Sequence, residues 1–435
     1  MKKYILPISI AVAVVFLVVS LLLSNRLTVG GEENDGVVRV YYADNISAAH
    51  QKVIDQFNAM HRGRIEVVPV SLPFEKFSTN ERKELLARSL RNKSDRLDIF
   101  TVDHIWVPRF SRWCEPLDAR IPESERREIL PEAEASCLFD STLMALPMYI
   151  DVGMLYYRKD LVRKLRPEAG FEDRLRKSLT WEEFRRLGSD NRRTGGQFYF
   201  FQANDYEGLT CNFFELIAGQ DDQFFLRRPL DFERPEARRA LEMLVDFVRR
   251  DRISPSAVTE YDEIQSYTQM LNENGVFVRG WPNFIESYRL SYPDQGKLDL
   301  LGRAPLPHFD GHKPVAVFGG WNLMVSRYST RKQEAVEFAR FFQREDVQKT
   351  MFEIGGYIPT NLQVFADTAY VARHPILGYY ATLIKSGFHR PALVEYTKMS
   401  DIISRAVHRA VKGELGIDQA LHEASVSIRD AGATR

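Results

Sequence analysis

Carboxylates and aromatic rings stand at the ends of apolar segments in this chain, often beside glycine. Tyr42, Asp44 and Asn45 close one such segment, Asp103 follows another at 97–102, and Trp281 follows Gly280 after a short run at 275–278. Gly319, Gly320 and Trp321 form the densest cluster. Adjacent glycines permit a backbone path that side chains would block, so amide and carbonyl groups can approach a ligand while an indole supplies a flat stacking face. A carboxylate in a dry cleft accepts strong hydrogen bonds from hydroxyl donors, whereas an unpaired polar group there costs more than a made bond returns. This is the chemistry of reversible binding. Each residue also has a structural role open to it: Asp44 and Asp103 can cap the helices that come after them, the second near Ile105, and the two indoles can be core packing.

Catalysis has less support. The sequence holds no G-x-S-x-G elbow, no H-E-x-x-H pair and no G-x-x-x-x-G-K-[ST] loop. A pair of carboxylates acting on a glycosidic bond needs a defined separation, which spacing along a chain does not set. His308 and His312 flank a short loop without an evident third ligand, so neither a metal nor a cofactor is expected. Lys and Arg number 59 and Asp and Glu number 59, so the formal net charge is zero. Nucleic acid, which demands concentrated positive charge, is not an expected partner. Three cysteines are too few and too widely spaced for a thiolate metal site. Outside the cytosol Cys114 and Cys137 could close a loop of about twenty residues, with Cys211 left buried; three reduced, buried thiols is the competing expectation.

The elements that must position these residues begin after a membrane signal. Lys2 and Lys3 precede an almost continuously apolar run from Ile5 to Leu23, close to the length of about 20 residues that a helix needs to cross hydrocarbon. The run reads as a cleaved signal peptide or a retained membrane anchor, with residues 25–35 as a tether. The rest of the chain is too long for one hydrophobic core and long enough for two domains. Strands are expected at 37–42, 64–70 and 97–102. Between them fall a helix capped by Ser47, with Ala49, Val53, Phe57 and Met60 on one stripe, and a second amphipathic helix over 79–90. That alternation predicts a largely parallel sheet covered on both faces, with ligands beyond the carboxyl ends of its strands. Farther on, the pattern predicts helices at 236–249 and 263–271, an irregular stretch at 301–310, and extended segments at 315–318 and 323–326 around a glycine turn. Helices at 331–342, 375–385 and 400–428 complete it.

The strings FNAMHRGRIEVVPV (57–70), LDIFTVDHIWVPRF (97–110), EPLD (115–118), MALPMYIDVGMLYYRKDL (144–161) and LTWEEF (179–184) are succeeded by NGVFVRGW (274–281), GHKPVAVFGGWNLMVS (311–326), EAVEFARFFQREDVQ (334–348) and GGYIPT (355–360). In this order they resemble the extracellular solute-binding proteins of ATP-driven importers, in the group that binds sugars and oligosaccharides. The resemblance implies an α/β, two-lobed periplasmic-binding-protein-like fold with a hinged cleft. It implies residues 1–35 as signal or anchor and tether, 36–148 as the first lobe with a return of the chain around 325–375, 149–324 mostly as the second, and 376–435 as C-terminal helices across the second lobe and hinge. By position in the family it implies ligand contacts from Asp44, Asp103, Tyr149, Asp151, Trp281, Gly320, Trp321, Tyr357 and Arg390. The alternatives are a hinge hydrogen bond for Asp151, hinge packing for Tyr149 and a surface salt bridge for Arg390. The implied partners are a sugar or oligosaccharide, membrane permease subunits and a separate ATPase, with a monomeric, non-enzymatic receptor on the outer face of the cytoplasmic membrane or in the periplasm. The arginines Arg279, Arg303, Arg327 and Arg390 keep open an acidic oligosaccharide, and family relatives keep open glycerol phosphate; a sugar sensor for a signalling partner is a further alternative.

Overall fold

A computed structural model describes residues 36–432 apart from 75, 78, 95 and 194, so the apolar run of the N-terminus lies outside the described residues. The first three strands are placed as the sequence predicts. Strand β1 (Val38–Asp44) lies between β2 (Ile65–Ser71) and β3 (Ile99–Asp103), parallel to both. The intervening helix Ala48–Met60 starts at a capping box in which the Ser47 hydroxyl and the His50 ring each accept from the other's backbone N–H. Its Ala49, Val53 and Phe57 are buried, but Met60, the last residue of the helix, is 57% exposed.

A two-residue hairpin, β4 (Leu138–Phe139) with β5 (Thr142–Leu143), precedes β6 (Leu146–Val152). Strand β6 pairs antiparallel with β11 (Ala316–Val325), which also runs antiparallel to β3, so the sheet is mixed rather than largely parallel. β12 (Gly387–Phe388) adds to the far edge of β11. The second sheet has the order β10 (Leu301–Ala304), β7 (Met154–Arg158), β9 (Phe277–Gly280), β8 (Tyr199–Phe200). Since β6 and β11 both belong to the first sheet, the chain leaves it at Gly153 and returns at Ala316. Helices Glu207–Ala218, Pro235–Val248, Tyr396–Lys412 and Ile417–Asp430 pack on one another.

Four local expectations change. Residues 301–304 form β10 in spite of Gly302, because the Tyr157 ring packs where a Cβ at that glycine would stand. The glycine turn at 319–320 is absent: β11 runs through both glycines as one strand of ten residues. Gly320 has φ +120°, and a Cβ there would overlap the Tyr149 carbonyl oxygen of β6. Gly320→Ala is therefore expected to lose about 1–3 kcal/mol through backbone strain and overlap, measured as a fall in the urea midpoint. The final helix breaks in two at Gly413, whose φ of +77° no helix interior accommodates. The Cys114–Cys137 bridge is not formed, and all three thiols are free and buried. Cys114 packs with its sulfur 3.9 Å from that of Met324, while Cys137 lies just after helix Pro131–Ala135 with its sulfur 3.6 Å from the Ala133 carbonyl oxygen. Each thiol sits in its own packing, and burial pushes both well above the usual thiol range.

Candidate ligand cleft

The two sheets border one cavity of about 1000 Å³. Asp44, Asp103, Tyr149, Asp151, Trp281, Gly320, Trp321, Tyr357 and Arg390 all line it. The volume stands at the upper end of the roughly 300–1,000 Å³ typical of small-molecule sites.

On the side of the first sheet the organising residue is Arg82, whose side chain is wholly enclosed. Its Nη2 donates to Asp44 Oδ1 at 2.9 Å, and its guanidinium carbon lies 4.2 Å from the centroid of Phe74 and 4.3 Å from that of Trp321. Asp44 also accepts from the Tyr42 hydroxyl at 2.5 Å and lies 3.4 Å from His50 Nε2. Burial holds His50 below the usual histidine range, so the cation matching Asp44 is Arg82. Trp321 keeps 9% of its surface open; Phe74 and Trp106 meet it edge-on at 5.6 and 5.8 Å. Its packing and cleft-facing roles coexist. Tyr149 and Tyr357 extend this wall with ring centroids 4.4 Å apart, and the Tyr357 hydroxyl donates to Ser47 Oγ at 3.3 Å.

The opposite wall repeats the device. Trp281 comes directly after β9, with the Arg279 guanidinium carbon 3.9 Å from its ring centroid. Its Nε1 donates to Glu263 Oε1 at 3.3 Å, and Glu263 also accepts from the Tyr206 hydroxyl at 2.7 Å. Behind the ring, Arg279 forks onto Glu215 at 2.8 and 3.3 Å, and Glu215 Oε1 accepts the backbone N–H of Val317 in β11. Each cleft indole thus has a buried guanidinium on one face, held by its own carboxylate. Such contacts contribute about 2 kcal/mol when desolvated and fix the ring plane.

Between the walls, Asp103 Oδ1 accepts from the Ile105 N–H at 3.2 Å and from Arg390 Nη2 at 2.9 Å. One carboxylate is both helix cap and cleft residue. Arg390 is not a surface salt bridge: it is 2% exposed and reaches Glu207 Oε1 at 2.5 Å with its other arm. Burial and Arg390 hold His104 well below the usual histidine range, so its Nε2 accepts from Arg390 at 3.1 Å. Asp151 is different. It is 7% exposed, its Oδ1 has no hydrogen-bond partner in the protein, and burial followed by the charge of Asp103 pushes its carboxyl up to about 7. Gly319 faces it: a Cβ there would come within 2.9 Å of the Trp281 ring and 3.3 Å of the Asp151 Cβ. The glycine lets an indole from the second sheet lie against β11 beside Asp151.

Residues 42–349 match the family model described as bacterial extracellular solute-binding protein. The chain belongs to that family. It is 28% identical over 342 residues to a probable ABC transporter-binding protein of Deinococcus radiodurans, covering 76% of this chain and 79% of that one. Among solved structures it is similar to maltose-bound MalE3 of T. maritima, with 26% identity, a TM-score of 0.80, and coverage of 91% of this chain and 100% of that one. A solute-binding protein of Thermotoga lettingae bound with alpha-D-tagatose shares the fold at 21% identity and a TM-score of 0.76, covering 91% and 99%. The family is one of binding receptors rather than enzymes, and membership implies work with a permease and an ATPase. In this solute-binding protein the sequence reading missed Arg82, Phe74, Tyr206, Glu207 and Glu263, all of which line the cleft or back a residue that does. For Arg82 a signal existed: with Leu86 and Leu90 it lies on the i, i+4, i+8 stripe of helix Thr79–Arg91, and a charge on an apolar stripe needs a buried partner.

Proposed function

We propose that this solute-binding protein captures a sugar or oligosaccharide outside the cytoplasm, by closure of two lobes built on the two sheets, and presents it to a membrane permease driven by a separate ATPase. The observation that carries the reading is the pair of arginine-backed indoles, one from each sheet, facing one cavity that also holds carboxylate acceptors. A pyranose has weakly apolar faces and a girdle of hydroxyls; rings whose planes are already fixed meet the first and charged acceptors meet the second at low ordering cost. Gly153 and the segment 305–315 join the sheets and serve as hinges, the C-terminal helices brace the second lobe, and the receptor works as a monomer at the outer face of the membrane or in the periplasm. The acidic-ligand alternative loses its support, because Arg390 is the one Lys or Arg among the described residues lining the cleft and it already holds two carboxylates. Arg279 and Arg303 are likewise paired, with Glu215 and Glu286.

The test is a thermal-shift and tryptophan-fluorescence screen of the full chain in detergent against mono-, di- and oligosaccharides, phosphate esters and peptides. A matching sugar at a hundred times its Kd is expected to add about 2.7 kcal/mol of stability and to change indole emission saturably. Stabilisation by a phosphate ester or a peptide, with none from any sugar, overturns the reading.

A further inference from the structure

We propose that the ligand carries a protonated amine, so that the cleft selects basic carbohydrates, amino sugars or oligosaccharides with an amine in place of a hydroxyl, with Asp151 as the counter-charge. The inference rests on the sugar-receptor reading and deepens it. Its first ground is charge balance. Asp44, Asp103, Asp151, Asp205, Glu207, Asp262 and Glu263 line the cavity against the single guanidinium of Arg390. Arg82 offsets Asp44 from behind, Arg390 bridges Asp103 and Glu207, and Arg405 approaches Asp205 at 3.8 Å. Glu263 is held by the Tyr206 hydroxyl and the Trp281 N–H, both neutral, and burial raises its carboxyl. Acidic groups therefore outnumber the cations that face the ligand.

The second ground is independent of the count. Asp151 is more than nine-tenths buried, lines the cavity, and keeps Oδ1 without a donor, although a buried carboxylate oxygen normally has one. It sits across Gly319 from the Trp281 ring, so a pyranose stacked on that indole brings its ring substituents to Asp151 and toward Asp103. An ammonium there gains a charge-assisted hydrogen bond in a low-dielectric site. The aromatic lining of Tyr149, Tyr357 and the two indoles favours a cation further, and a neutral hydroxyl at the same position would bring no charge to match Asp151.

The experiment measures affinities of the full chain in detergent at pH 6.5 by calorimetry for matched pairs: glucosamine and glucose, galactosamine and galactose, the β-1,4 glucosamine disaccharide and cellobiose, with the N-acetylated disaccharide and glucuronic acid as further members. The amine is expected to bind at least ten-fold tighter than its neutral partner in the pair that binds, with the preference falling to within three-fold in Asp151→Asn and falling in part in Asp103→Asn, where the amide oxygen still caps Ile105. A neutral, acetylated or acidic sugar as the tightest ligand overturns the inference and leaves the sugar receptor standing. Failure of every carbohydrate overturns both. Equal preference in wild type and Asp151→Asn overturns the assignment of Asp151.

Discussion

Arg279→Met will lower the unfolding free energy by about 3–5 kcal/mol, the range found when one member of a buried ion pair is removed. Arg279 is completely enclosed and Glu215 is 6% exposed, so deleting the cation strands a carboxylate whose remaining donor is the Val317 N–H. The pair fills the space that a Cβ at Gly153 would occupy, at the link between β6 and β7, so relaxation by water entry is limited. Adding Glu215→Gln should restore most of the loss, because a neutral amide still offers Val317 an acceptor without an uncompensated charge. Urea denaturation with an unchanged m-value reads both effects. A loss below 1 kcal/mol in the single variant contradicts the account, and so does a double variant no better than the single one. Removing the guanidinium from behind Trp281 should also broaden its emission, since the ring then keeps only the Glu263 hydrogen bond and its packing against Gly319.

Asp151→Asn will stabilise the ligand-free protein at pH 8, leave it nearly unchanged at pH 4, and weaken ligand binding. Below the ordinary carboxyl value of 3.8 both folded and unfolded chains hold the proton. From there to about 7 the unfolded chain releases it and the folded chain keeps it, so the Asp151 contribution to stability falls as pH rises and its loss is complete above about 7. A raise of that size corresponds to on the order of 4 kcal/mol, and the neutral amide avoids it. The check is the difference in unfolding free energy between variant and wild type from pH 4 to 8. A difference that stays flat, or one that shrinks with rising pH, would refute a buried, undercompensated carboxyl. The same group that costs stability gives the cleft a reason to close on a donor, the expected trade between a strained site and binding.

Much of the framework is legible in the order of the segments. Period-2 and period-3.6 patterns place β1, β2, β3 and their covering helices, and Ser47 before the Ala49, Val53, Phe57 stripe marks a real cap. The family strings carry the rest of the architecture, and the nine candidate residues meet in one cavity. The failures have a common cause. Glycines at 302, 319 and 320 read locally as breaks, yet each sits within a strand where another chain segment comes too close for a side chain. Arg82 and Glu207 read as helix-surface charges because partners far away in sequence, Asp44 and Arg390, are invisible to periodicity. Cys114 and Cys137 have a plausible spacing, but spacing does not set the direction of a thiol.

Sequence by itself determined the lobes' building blocks, the balance of acidic and basic residues, and the residue types available to a ligand, since composition and local periodicity act within a few turns of chain. Only tertiary structure decided which charge answers which. Arg279 belongs to Glu215, Arg390 to Asp103 and Glu207, and Asp151 is left without a donor, because electrostatic pairing in a low-dielectric interior depends on distances of a few ångströms between segments up to 287 residues apart.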